Sequence, residues 1–159
     1  MNKRIKFICH AALIAAIYVL LTYVAKLFGL DSGVIQVRFS EALCILPYFT
    51  AAAVPGVTVG CLLANIFTGC AMWDIVFGTL ATLIGATIAR KLRKFKWLVP
   101  LPSVISNMAI IPLILMWVYG AKEAYPFLLL TVGIGEIISI YGIGMILLFA
   151  LEKRKVIFQ

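Results

Sequence analysis

Few side chains in this sequence can do chemistry, and most of those that can are carboxylates and amides set among apolar residues. Glu136 is the most informative. It stands alone in the otherwise uncharged stretch Ala124–Leu151, directly after Gly133-Ile134-Gly135. An ionisable group at membrane depth is costly and usually faces a bundle interior or a cavity. Glu136 therefore reads either as a ligand or proton site, or as a structural carboxylate paired with Asn107 or Ser106. The two glycines before it are expected to leave space beside the carboxylate. Asp74, just after Trp73, is either a helix N-cap or a ligand contact. Arg38 and Glu41 lie three apart. They either pair with each other, which on a helix is worth only tenths of a kcal/mol, or touch a solute. Asn65 either bonds between helices, the commoner use of an intramembrane amide, or reads a solute.

No catalytic constellation accompanies these groups. The sequence holds no P-loop, zincin motif or nucleophile elbow, and no heme-type ligand set. Cys9, Cys44, Cys61 and Cys70 show no metal-type spacing and read as small buried residues, so neither a disulfide framework nor a zinc site is expected. His10 has no partner. No metal, cofactor or catalytic residue is expected, and an enzyme would need paired groups at one depth where only Glu136 is expected to lie deep. Several aromatics, among them Trp73, Phe77, Trp117 and Tyr119, suit an interfacial belt, and one or two are free to stack on a flat ligand.

The elements that must position these groups follow from hydropathy. The 159 residues are 64% hydrophobic and 13% charged, with a mean hydropathy of +1.12, far from the composition of a soluble domain. The apolar residues come in long blocks, and a spanning helix needs about 20 of them. Eleven of the 14 Lys and Arg fall in three clusters at block ends: Lys3, Arg4 and Lys6; Arg90 to Lys96; and Lys153 to Lys155. That placement follows the positive-inside rule and makes nucleic acid an unneeded explanation of the +8 charge. The block Ala42–Met72 is too long for one span and contains Pro55-Gly56, a strong breaker. Charge parity requires it to cross twice, since otherwise Arg90–Lys96 would face outward.

The expected fold is thus an all-α integral membrane protein. It is a single domain, a compact bundle of six transmembrane helices with both termini cytoplasmic, spanning about 6–28, 40–54, 56–69, 74–92, 98–119 and 125–153. Helices two and three are short for the membrane. Residues 30–39, with Asp31, Gln36 and Arg38, read as a polar, β-leaning outer loop. In helix one, Ala11 and Ala15 share a face, as do Ala12 and Ala16. Such small-xxx-small faces admit another helix closely, either within the bundle or on a partner.

The run Gln36-Val37-Arg38-Phe39-Ser40-Glu41-Ala42-Leu43, then Leu46-Pro47, Pro55-Gly56, Gly60 to Asn65, Asp74 to Leu83 and Gly133 to Glu136 resembles the QueT family over nearly the whole chain. Those proteins are substrate-binding S components of energy-coupling factor (ECF) transporters, associated with uptake of queuosine precursors. The resemblance implies a multi-pass protein of a bacterial plasma membrane. It would bind a deazaguanine base such as the pre-queuosine aminomethyl base or queuine, and dock on a transmembrane coupling subunit with two ATPases. Ala11, Ala12, Ala15 and Ala16 resemble the alanine motif of that docking. For such a base, Glu136 is expected to take the ring N–H edge in bidentate fashion, with Asn107 or Asn65 on the carbonyl side. Asp74 or Glu41 would meet the amine, and Trp73 or Phe77 would stack. The alternatives are an S component for another vitamin, and a small membrane-embedded enzyme or channel.

Overall fold

The computed structural model describes residues 2–30 and 35–153. Asp31, Arg154 and Lys155 lie outside the described residues. The described chain is helical, and no strand forms in it, so the β-leaning reading of residues 35–39 does not hold. Four stretches are long and apolar enough to cross a membrane: Lys3–Leu27, Met72–Lys91, Lys96–Trp117 and Tyr125–Glu152.

Helix α1 (Lys3–Leu27) starts at Asn2, whose side chain accepts from the Arg4 N–H at 3.2 Å. It stops at Gly29, which takes φ +67°. There the Gly29 N–H returns to the Lys26 carbonyl and the Leu30 N–H to the Ala25 carbonyl, the paired bonds of a glycine-terminated helix. Helix α2 (Ala53–Phe67) packs along α1. A Cβ on Gly56 would lie 2.9 Å from Ile14 Cβ, and one on Gly60 would lie 2.6 Å from Tyr18 Cβ. The two backbones thus approach as only small residues allow.

Between them runs the element that departs most from expectation. Residues Phe39–Tyr48 form a 3-10 helix rather than an α-helical span, and every residue from Ser40 to Pro47 is buried. It touches protein on all sides instead of lipid. That is where non-α backbone is tolerated at membrane depth. The turn expected at Pro55-Gly56 falls earlier, at residues 49–52, and Pro55 sits inside the first turn of α2. A proline there sacrifices no intrahelical bond, because the first N–H groups of a helix have no partner in it.

Helix α3 (Met72–Lys91) and helix α4 (Leu101–Trp117) meet closely at Gly85, where a Cβ would come within 2.7 Å of Ser103. A short 3-10 turn, Lys96–Leu98, precedes α4. The last long helix has three parts: α5 (Tyr125–Glu136), a π-helical stretch Ile137–Gly144, and α6 (Met145–Glu152). The π-helical stretch packs on the 3-10 helix, with Gly144 against Ile45 and Ala42.

Successive elements alternate in direction, so the start of α1, the end of α3 and the end of α6 share one end of the bundle with the basic clusters. Polar bonds fasten that end. Arg90 Nη1 donates to the Pro47 carbonyl at 2.8 Å, Lys96 pairs with Glu152 at 3.5 Å, and the Tyr48 hydroxyl donates to Glu152 at 3.2 Å. Cys44 and Cys61 are buried as expected, whereas Cys9 is exposed.

Candidate functional site

At the other end, where α1, α2 and α4 finish and α3 begins, a cavity of about 350 Å³ opens. Small-molecule pockets run from about 300 to 1,000 Å³. Helix α1 contributes Tyr18, Thr22 and Lys26 to its wall; the segment entering the 3-10 helix contributes Gln36, Arg38 and Ser40. Asn65, Thr68 and Cys70 come from α2 and its exit, Asp74 from the first turn of α3, and Tyr119 from the chain just after α4.

Backbone geometry sets these groups in place. Gly69 at φ +74° ends α2, and the Cys70 N–H bonds the Asn65 carbonyl at 3.0 Å, so the exit of α2 turns over the cavity. The Lys26 ammonium donates to the Thr68 carbonyl at 2.9 Å and the Tyr23 hydroxyl to the Phe67 carbonyl at 3.1 Å. The Tyr119 hydroxyl accepts from the Ala71 N–H at 3.1 Å and donates to Asp74 Oδ2 at 3.0 Å.

Arg38 is the electrostatic centre. Its guanidinium lies within range of Glu41, Asp74 and Glu136, three of the six acidic residues in the chain. Its backbone N–H donates to Ser139 Oγ at 3.1 Å, and Ser139 donates onward to the Gly135 carbonyl at 2.8 Å. The segment carrying Arg38 is thereby tied across the junction of α5 and the π-helical stretch. Single π-helical turns inside α-helices recur at functional sites.

Sequence expectations fare unevenly against this geometry. Arg38, Asn65 and Asp74 come together in one wall. Glu136 and Asn107 are both buried and are not in that wall. Asn107 neighbours Glu136, while Glu136 Oε2 has no hydrogen-bond partner among the described residues. The space expected beside the two glycines is filled, by the Gln36 backbone over Gly135 and by Met108 over Gly133. Glu41, expected either to pair with Arg38 or to touch a solute, is 1% exposed. It accepts from the Tyr18 hydroxyl at 2.5 Å on one oxygen and from the Cys44 thiol at 3.2 Å on the other. Glu136 is therefore not the one buried carboxylate, and each Glu41 oxygen already accepts a bond from within the protein.

Trp73 and Phe77 do not join the cavity. They lie four apart on the outer face of α3, are 59% and 41% exposed, and stack on each other at 5.9 Å. One residue on a helix turns the side chain by about 100°, so Trp73 points away from the direction of Asp74. Both line an apolar groove between α3 and α4 with Leu113 and Trp117. The alanine stripe of α1 divides: Ala15 is buried and Ala11 half-buried, against α2, while Ala12 and Ala16 are exposed. Sequence reasoning assigns no site role to Tyr18, Lys26 or Thr68, and it offers Tyr119 only as one of several aromatics free to stack on a flat ligand. Tyr119 looked like a belt residue, and only its position near the start of α3 reveals its bond to Asp74.

An all-helical chain with four membrane-length apolar helices and a charged cavity between helix ends has the build of a solute-binding membrane protein. The family model described as QueT transporter matches residues 8–153, and the chain belongs to that family. A curated relative, the queuosine precursor transporter QueT of Lactococcus lactis subsp. cremoris (strain MG1363), is 32% identical over 154 residues, covering 90% of this chain and 90% of its own. No solved structure gives a significant match. Members of a transporter family move a solute rather than transform it.

Proposed function

We propose that this chain is the substrate-binding S component of an ECF-type importer. It takes up a queuosine precursor, a deazaguanine base such as the pre-queuosine aminomethyl base or queuine. The relative's name supports the cargo. The carrying observation is the polar cavity walled by Arg38, Asn65 and Asp74 at the end away from the basic clusters. If those clusters lie inside, as the positive-inside rule requires, the cavity opens outward. In this reading the chain is one membrane domain of the bacterial plasma membrane. It crosses six times with both termini cytoplasmic, and the buried 3-10 helix serves as the second crossing.

Asp74, Asn65 and Arg38 meet the base. Glu136 and Asn107 act from behind Arg38, and Glu41 serves as its fixed counter-charge. Trp73 and Phe77 contact lipid in this reading rather than the ligand. The sequence has no P-loop, so ATP hydrolysis falls to two partner ATPases reached through a transmembrane coupling subunit. The exposed Ala12 and Ala16 offer that subunit a close approach.

Mass spectrometry of ligand retained on the purified protein tests the cargo. A deazaguanine base is expected, and a tightly held flavin or thiamin would overturn the assignment. Equilibrium binding by Glu136→Gln and Asp74→Asn tests the site, and near-wild-type affinity in both would remove these residues from it.

A further inference from the structure

Gly78 lies one turn below Asp74 on α3, and two polar atoms face its bare Cα. A Cβ at Gly78 would lie 3.3 Å from Asn65 Nδ2 and 3.4 Å from Asp74 Oδ1. A donor from α2 and an acceptor from α3 therefore converge over one bare Cα, in residues that are both buried and both part of the cavity wall. Their other bonds fix the roles. Asp74 Oδ2 is held by the Tyr119 hydroxyl, which leaves Oδ1 as the oxygen beside Asn65. The hydrogen bond found for Asn65 Nδ2 runs to Cys61 Sγ at 3.7 Å. Sulfur is a weak acceptor, so this amide still has donor capacity for a carbonyl.

We propose that Asn65 Nδ2 and Asp74 Oδ1, which both face Gly78 in the cavity wall, form a donor–acceptor pair that reads a lactam edge, a ring C=O beside a ring N–H. Asn65 takes the carbonyl and Asp74 takes the N–H. Tyr119 is a positioning residue that orients the carboxylate. This rests on the deazaguanine reading above and deepens it, because it states which face of the base enters first and moves the ring edge from Glu136 to Asp74.

The test uses two probes on the full-length protein in detergent. One is 7-aminomethyl-7-deazaguanine. The other is its 2,6-diamino counterpart, in which the carbonyl becomes an amine and the ring N–H becomes an acceptor. A site built to hydrogen-bond one pattern rejects the reversed one strongly, so the wild type is expected to favour the lactam by at least about a hundredfold. Asp74→Asn, which can donate to the reversed edge, is expected to lose lactam affinity and to narrow or invert the preference. A wild-type preference below tenfold overturns the lactam pair alone. So does an Asp74→Asn variant that keeps both affinity and preference. Binding of neither probe by the wild type overturns the functional reading, and this inference with it.

Discussion

Gln36 lays its main-chain carbonyl directly over the bare Cα of Gly135, so closely that a Cβ there would overlap the oxygen. That contact seats the segment carrying Arg38 on the junction that carries Glu136. A backbone carbonyl cannot swing away as a side chain can. Gly135→Ala is expected to destabilise the protein by about 1–3 kcal/mol, the usual range for overpacking, and to lower ligand affinity together with it. Thermal unfolding in detergent and equilibrium binding measure the two effects. An alanine variant with unchanged melting and affinity would show that this contact does not seat the segment.

Tyr18→Phe removes the donor from a carboxylate oxygen of Glu41 that has no access to water. A buried acceptor stripped of its partner costs about 1–3 kcal/mol, and more when it is charged. The melting temperature should fall clearly, and Glu41→Gln in the same background should recover part of the loss. If the single variant melts like wild type, Glu41 is held by something other than Tyr18.

Tyr119→Phe frees Asp74 Oδ2 and the Ala71 N–H together. Since Tyr119 stands beyond the end of α4, stability should change little. Affinity for the deazaguanine base should fall about tenfold, equal to about 1.4 kcal/mol. Titration of the purified variant decides the point, and unchanged affinity would count against Tyr119 as a positioning residue.

The two alanine faces of α1 should separate by phenotype. Ala15→Leu forces a large side chain against α2 near Gly60 and is expected to abolish a folded, monodisperse protein. Ala12→Leu with Ala16→Leu alters an exposed face, so folding and ligand binding should persist while co-purification with coupling and ATPase subunits is lost. Retained co-purification would place the partner elsewhere on the bundle.

At the basic end, two cations of the same sign should differ in weight. Lys96 forms a half-exposed pair with Glu152, and such pairs contribute at most about 1 kcal/mol. Arg90 donates to the Pro47 carbonyl near the close of the 3-10 helix, and hydrogen bonds from charged groups contribute about 1.5–3 kcal/mol. Arg90→Ala should therefore lower the melting temperature more than Lys96→Ala, and the opposite order would refute the distinction.

Hydropathy made the long helices legible, because four apolar blocks match the four long spans to within a few residues. It could not reveal the 3-10 helix. A run such as Ala42-Leu43-Cys44-Ile45-Leu46 is apolar all round, so nothing in it distinguishes a period of 3.0 from one of 3.6. Pro55 misleads because a proline in the first turn of a helix looks, in sequence, like a proline that breaks one. Asp74, Asn65 and Arg38 were visible as rare polar residues in apolar surroundings, and the fold gathers them. The sequence could not show which rings turn inward. Trp73 and Phe77 suggest ligand stacking as aromatics in the expected outer half, whereas the helix turns them outward. Tyr18 and Tyr119 gained their roles from partners 23 and 45 residues away, separations that no local pattern encodes.

The 3-10 helix also bears on how the chain passes from one end of the bundle to the other. Its ten residues rise about 2.0 Å each and extend about 20 Å, a distance for which an α-helix needs about thirteen. It is also the narrower rod. Set along the axis of the bundle, it links the rim at Arg38 to the opposite face at Tyr48 with the least chain and the smallest cross-section, and the thicker helices are left to form the perimeter.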